Sequence, residues 1–198
     1  MIDIGIALSS ERDHNRLMEL ILLETKDLCN ADGGTLYLRT EDDRLKFEIM
    51  RTDSLNFAKG GTTGEEITFP PLQIYNPETG QPNTHNIATH VALSGETVSI
   101  PDAYETDQFD FSGTKKFDEG TGYRSKSFLT VPMKNHDGDV IGVIQLLNSR
   151  DRESGEVIAF NEGIQPLIES LTSQAAVALD NQNLLLAQKQ LLDSFIAM

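Results

Sequence analysis

The string KKFDEGTGYRS, residues 115–125, sets two carboxylates side by side, Asp118 and Glu119, among glycines, a tyrosine and a serine. Paired carboxylates can divide acid and base duties between them. Read as extended loop, however, neighbouring side chains point to opposite sides, so the two would not address one substrate. The four histidines, His14, His85, His90 and His136, form no HExxH pair, and His85 and His90 are five apart, off register for a shared helix face. Glu41-Asp42-Asp43 reads as a solvated hairpin tip rather than a cation site. Cys29, the only cysteine, closes an apolar helix, where an inert buried thiol is expected. A GxSxG elbow, a phosphate-cradling GxxxxGK[ST] loop and a GxGxxG turn are all absent from the sequence. The residue types therefore lead away from catalysis: no catalytic group, no metal site and no cofactor is expected.

The 198 residues carry 16 basic and 31 acidic side chains, a formal charge of −15. With no basic stripe, the chain has little to offer a phosphate backbone, and nucleic acid is not an expected partner. The longest apolar run, LMELILLETKDLC, is interrupted by Glu19, Glu24, Lys26 and Asp27, so no membrane span is expected. The start, MIDIGIAL, is too short and acidic for a signal peptide. A single cysteine rules out an intrachain disulfide framework and suits a reducing, cytoplasmic setting.

The elements that would position these groups follow from periodicity. A helix is predicted over 10–29, capped by Ser10, with Leu17, Leu20, Ile21 and Leu28 on one face and Asp32-Gly33-Gly34 as its stop. A hairpin follows, Leu36 and Leu38 on one arm and Leu45, Phe47 and Ile49 on the other. One strand is predicted near Glu65–Phe69, a short helix at about 86–94 with Gly95 as its stop, and a strand over Thr97–Ile100. Residues 102–122 show no period and read as a loop folded back over something. Ser127–Met133 and Val140–Leu147 flank NHDGD, and Asp137-Gly138 between apolar runs is a strong hairpin signal. A long helix is predicted over about 156–196. Leu171, Ala178, Leu185 and Leu192 recur every seven residues along it, as do Ile168, Ala175, Gln182, Lys189 and Ile196, so a coiled-coil partner is expected. Helices beside adjacent antiparallel strands give an α+β fold class.

This order and four strings, ADGGTLYL (31–38), NIATHVALSGETVSIPDAY (86–104), TGYRSKSFLTVPMKN (121–135) and DVIGVIQLLN (139–148), resemble a GAF domain. The family is a small-molecule sensing module of cyclic-nucleotide phosphodiesterases and bacterial signalling proteins. The resemblance implies a central antiparallel sheet of about six strands, the first and last helices packed on one face and the ligand pocket on the other. The contiguous KKFDE (115–119) is a coincidence of letters with the dispersed NKFDE motif of cyclic-nucleotide-binding members. That motif would start after the last central strand, in NSRDRESGEVIAFNEG (148–163). There Asn148 and Glu162 match, while Ser149, Val157 and Asn161 replace its Lys, Phe and Asp.

A second motif, D-x-x-T-G-[FY]-x-[TS], does fit at Asp118, Thr121, Gly122, Tyr123 and Ser125. By resemblance Asp118, Thr121 and Ser125 reach the ligand together with Ile87 and Ala88 of the short helix. Gln145, a polar residue among Ile141, Val143 and Leu147, would complete the pocket wall. A methionine-sulfoxide reductase or a covalent bilin photoreceptor of this family would need a pocket cysteine, and Cys29 lies in the wrong element. The resemblance further divides the chain into a lead-in (1–9), a GAF domain (10–180) and a helical linker (181–198). The linker would lead toward an output domain, as in GAF modules preceding HD-type (HD-GYP-like) phosphohydrolases. The expected function is non-catalytic: a homodimer through its first and last helices, sensing a small molecule such as a cyclic nucleotide. A ligand-free assembly module is the alternative, and an enzyme built on Asp118 a third reading.

Overall fold

The computed structural model describes residues 4–198. Residues 1–3, the head of the MIDIGIAL start, lie outside the described residues. The helix predicted over 10–29 forms as α2 (His14–Leu28), and a separate helix, α1 (Ile4–Ser10), precedes it. They separate at residues 11–13 because Asp13, not Ser10, is the cap of the longer one: its carboxylate accepts from Arg16 N at 2.9 Å. The predicted lead-in at 1–9 thus holds most of a helix.

After α2 the chain reverses through Asn30, left-handed at φ 49°, a conformation asparagine tolerates better than most residues. It then enters β1 (Ala31–Arg39), so Gly33 and Gly34 are strand residues and not a helix stop. They are small for a packing reason. A Cβ on Gly33 would sit 2.9 Å from the Arg51 carbonyl oxygen, and one on Gly34 2.9 Å from Leu22 Cδ1.

The remaining strands are β2 (Arg44–Thr52), β3 (Phe57–Gly60), β4 (Leu72–Gln73), β5 (Val98–Ile100), β6 (Phe128–Lys134), β7 (Val140–Arg150) and β8 (Val157–Ile158). No strand forms at 65–69; β3 and β4 bracket that stretch instead. The sheet runs β3-β2-β1-β7-β6-β5, with β4 added beside β2 and β8 beside β7. Every pairing is antiparallel. The path has the six strands expected, and the two short additions bring the sheet to eight.

Three further helices complete the chain: α3 (Ile87–Ser94), α4 (Ser112–Thr121) and α5 (Gln165–Ile196). The short helix is as predicted, capped by Asn86 and ended by left-handed Gly95. The long helix begins nine residues later than predicted, after β8 and a 3-10 turn at Glu162–Ile164. The loop predicted over 102–122 contains α4, so Asp118 and Glu119 are helical and diverge by about 100°, not by the alternation of extended chain.

One face of the sheet is closed. Leu17, Met18, Ile21 and Leu22 of α2, Ile168 and Ala175 of α5, and Leu36, Ile49, Leu129 and Ile144 of the strands form a single core, all fully buried. Each such Leu, Ile or Met side chain contributes roughly 1.5–3 kcal/mol, Ala175 less. The other face is covered only by α3, α4 and loops, over two smaller clusters around Val91 and Phe128. The α5 stripe divides likewise. Ile168, Leu171, Ala175 and Ala178 are buried, whereas Leu185 and Leu192, in the same spacing, are 66% and 60% exposed.

Candidate functional site

The under-covered face holds a hollow of about 530 Å³. Its floor is laid by strand alternation: residues two apart share a face, so Thr35 and Tyr37 of β1 and Gln145 and Leu147 of β7 all line it. Register makes Thr35 and Thr130 cross-strand partners of Gln145, one on each side; of these Thr35 and Gln145 line the floor and make it polar there. Asn86, Ile87 and Ala88, at the start of α3, and Phe111, Lys116 and Phe117, around α4, line it as well.

Rings make up much of the wall. Tyr37 and Phe47 lie 4.7 Å apart between centroids, and Phe47 meets Phe69 at 5.6 Å. Phe111 packs on Phe128 at 5.1 Å, and Phe117 stands edge-on to Phe57 at 6.0 Å, tying α4 to the β3 side. Such flat, weakly polar surfaces favour a ring-bearing ligand.

Gln145 is loosely held. Tyr37 Oη donates to its Oε1 at 3.5 Å and its Nε2 donates to Thr130 Oγ1 at 3.3 Å, both near the outer limit of a hydrogen bond. Burial raises the Tyr37 phenol far above its ordinary range, which keeps it protonated and a donor. The amide thus retains capacity for a ligand.

Of the six residues singled out from sequence, Ile87, Ala88, Ser125 and Gln145 line the hollow, while Asp118 and Thr121 do not. Thr121 is exposed at the end of α4, and its hydroxyl donates to Phe117 O at 2.7 Å. The Asp118 carboxylate, 4% exposed, is occupied by protein donors: Ser125 N and Tyr104 Oη at Oδ2 (2.8 and 2.7 Å) and Ser125 Oγ at Oδ1 (2.8 Å). That hydrogen bond holds the Tyr104 phenol above its usual range. Over the Tyr104 ring lies the Arg124 guanidinium, 3.6 Å from the centroid, itself bound through Nη2 to both Asp102 oxygens. Asp118 is thus a clasp between α4 and the approach to β6.

A second cluster went unread in the sequence. Asp32, its side chain 1% exposed, accepts from Ser54 N (3.1 Å), Ser54 Oγ (2.6 Å) and Tyr123 Oη (2.7 Å), and pairs with Arg150 at 2.8 Å. Asn148 Nδ2 donates to the same Tyr123 oxygen and to Arg124 O, while its Oδ1 accepts from Lys126 N and Ser127 N. Burial, and then the bond to Asp32, raise the Tyr123 phenol. The sequence hints were the matches of Asn148 and Tyr123 to family motifs, neither of which joined them to each other or to Asp32; for Asp32 the adjacent glycines pointed to a turn.

Cys29 stays remote from the hollow, and burial pushes its thiol up to about 12. Among the described residues no group of three histidine, cysteine, aspartate or glutamate side chains could hold a metal ion, and no helix is long and apolar enough to cross a membrane.

Comparison with known proteins adds to this geometry. Residues 13–179 match the family model described as GAF domain. The chain is 35% identical over 183 residues to a Takifugu rubripes protein named dual 3',5'-cyclic-AMP and -GMP phosphodiesterase 11A, covering 92% of this chain and 18% of that one. It is 40% identical over 179 residues to the Drosophila melanogaster dual 3',5'-cyclic-AMP and -GMP phosphodiesterase 11, covering 88% and 11%. The chain therefore spans less than a fifth of these relatives. Among solved structures, the GAF domain of an Acinetobacter phosphoenolpyruvate-protein phosphotransferase superposes with a TM-score of 0.63 at 16% identity, covering 92% and 91% of the two chains. Residues 122 to 287 of a methyl-accepting chemotaxis protein give 0.62 at 19%, covering 92% and 98%. At such identities these two share the fold and no more.

Proposed function

We propose, from the premise that this chain belongs to the GAF domain family, that the hollow is a sensory site for a small molecule of the cyclic-nucleotide class. The observation that carries the reading is the hollow itself: about 530 Å³, ring-walled, with Thr35 and Gln145 polar on its floor and a helix clasped beside it. That volume lies within the range of small-molecule sites. The relatives named for both cyclic nucleotides support the ligand class. Ile87, Ala88, Ser125 and Gln145 are the proposed contacts, and Asp118 acts behind them.

The role is regulatory, not catalytic. In the whole protein the domain would control an attached output domain that cleaves phosphate esters. A resemblance to modules preceding HD-type phosphohydrolases suggested such an output, and the phosphodiesterase names of the relatives support ester cleavage without giving its type. The exposed leucines of α5 beyond Asp180 suit pairing with a second copy, and the buried lone thiol suits a cytoplasmic setting. For a signal to pass, ligand must favour one arrangement of the paired helices over another; equal affinity for both would shift nothing.

A thermal-shift titration with cyclic GMP and cyclic AMP tests the reading. Ligand at about a hundred times its dissociation constant stabilises by roughly 2.7 kcal/mol. For a domain of this size that raises the melting temperature by about 5–10 °C. A flat response to both nucleotides would instead favour an assembly module.

A further inference from the structure

We propose that Asp118 acts on the ligand at one remove, by fixing the Ser125 hydroxyl as a hydrogen-bond acceptor toward the hollow. The site then selects a molecule that presents an N–H or O–H at that point. This rests on the hollow being the cyclic-nucleotide-class site proposed above.

The argument is one of hydrogen count. A serine hydroxyl has one hydrogen to give and two lone pairs to receive with, whereas an ionised carboxylate only accepts. Ser125 Oγ lies 2.8 Å from Asp118 Oδ1, so its single hydrogen is committed there. Among the described residues no other hydrogen bond engages that hydroxyl, and Ser125, 2% exposed, lines the hollow. What remains for a ligand is lone pairs. An acceptor-only group such as a phosphate oxygen would meet them unfavourably, while a ribose hydroxyl or a base N–H would be received.

The same geometry dictates how the polarity can be inverted. Oδ2 of Asp118 faces Ser125 N–H, which can only donate, and Tyr104 Oη. In Asp118→Asn the amide oxygen must therefore take the Oδ2 place. The amide nitrogen is left facing Ser125 Oγ, which now accepts from it and turns its own hydrogen into the hollow. Shape and hydrogen-bond number are retained while the group offered to the ligand changes from acceptor to donor.

Calorimetric titration of cyclic GMP and cyclic AMP into the wild-type chain, Ser125→Ala, Asp118→Asn and the double variant tests this. For the tighter nucleotide each single variant is expected to weaken binding about tenfold, roughly the loss of one paired group in a buried site. The double variant is expected to be no weaker than the worse single, because one hydroxyl mediates both losses. Tyr104→Phe, which leaves the Ser125–Asp118 bonds in place, is expected to bind as wild type. Losses that multiply in the double variant would mean two independent contacts and would overturn the assignment. So would unchanged affinity in Asp118→Asn, with the ligand class left standing. If that variant fails to fold, Ser125→Ala decides alone, an unchanged dissociation constant refuting the proposal. Failure of both nucleotides to bind the wild-type chain would remove the ligand class and this assignment together.

Discussion

Asn148 is where a single substitution should cost most for its size. It is 2% exposed, and its backbone is left-handed at φ 55°. Its side chain holds Lys126 N at 2.7 Å, Ser127 N at 3.1 Å, Arg124 O at 2.9 Å and Tyr123 Oη at 2.8 Å. Asn148→Ala strands three backbone groups that have no other partner among the described residues and keeps a Cβ in a conformation alanine resists. Taking about 1 kcal/mol for each stranded group, the low end of the usual range, gives about 3. Left-handed strain adds about 1 more, for a total near 4 kcal/mol. Typical domains have about 5–15 kcal/mol in all, so the variant should fold only marginally. Asn148→Gly strands the same groups without the strain and should lose about 3 kcal/mol. In urea, with a slope of about 2 kcal/mol per molar, the midpoints should fall by roughly 2 and 1.5 M. The reasoning fails if alanine costs under about 1 kcal/mol at unchanged slope. Equal losses for alanine and glycine would remove the strain component alone.

Cys29, 7% exposed with its thiol pushed up to about 12, should not react with a disulfide reagent at pH 8 in the native protein yet react fully in guanidinium; rapid native reaction would contradict its burial. Glu19 should make the fold acid-sensitive. Burial alone would raise its pKa, but the Thr62 hydroxyl and N–H and the Arg51 guanidinium outweigh that and hold it below 4.5. A carboxylate with a depressed folded value stabilises fully above the unfolded value and loses that contribution as pH falls through the folded one. Stability measured from pH 7 to 3 should therefore decline less steeply in Glu19→Gln than in wild type, and a steeper decline would refute the assignment. On the pairing proposed for α5, removing residues 181–198 should abolish self-association in sedimentation while leaving the domain folded, since that stretch contributes no fully buried side chain; a truncated chain that stays dimeric would exclude the helix as its interface.

Local chemistry was legible in the sequence, and tertiary chemistry was not. Asn86 and Gly95 mark the ends of α3 by mechanisms confined to a few residues, and Asp137-Gly138 marks the β6–β7 turn. By contrast, α4 has two glycines in ten residues and no side-chain cap, so it has little propensity of its own. It is held from outside, by Phe57 against Phe117 and by Ser125 and Tyr104 on Asp118. Gly33 and Gly34 misled for a related reason: glycine ends helices by its freedom, but here it serves by its smallness against Arg51 and Leu22. Gln145 could be placed at the hollow because strands alternate in a fixed way, and Ser125, in the loop before β6, only through its match to a family motif. The direction of Asp118 depends on the turn of a helix that only long-range contacts sustain.

The two faces of the sheet owe their difference to this division. Hydrophobic burial is non-directional, and on the α2–α5 face it runs to completion, leaving a closed core. On the other face the apolar clusters are small, and burial alone would draw α3 and α4 down until the hollow closed. Directional bonds oppose that collapse. Asp118 fixes the end of α4 to Ser125; Tyr123 then crosses to Asp32, which also holds the β2–β3 turn and Arg150 at the exit of β7. A buried carboxylate such as Asp32 adds little net stability over an apolar replacement, but it tolerates only arrangements that keep every donor in place. The cluster is better understood as a gauge of distance than as a source of stability. On the proposed reading of the hollow, it would set how far α4 stands from the floor, and so the span open to a ligand.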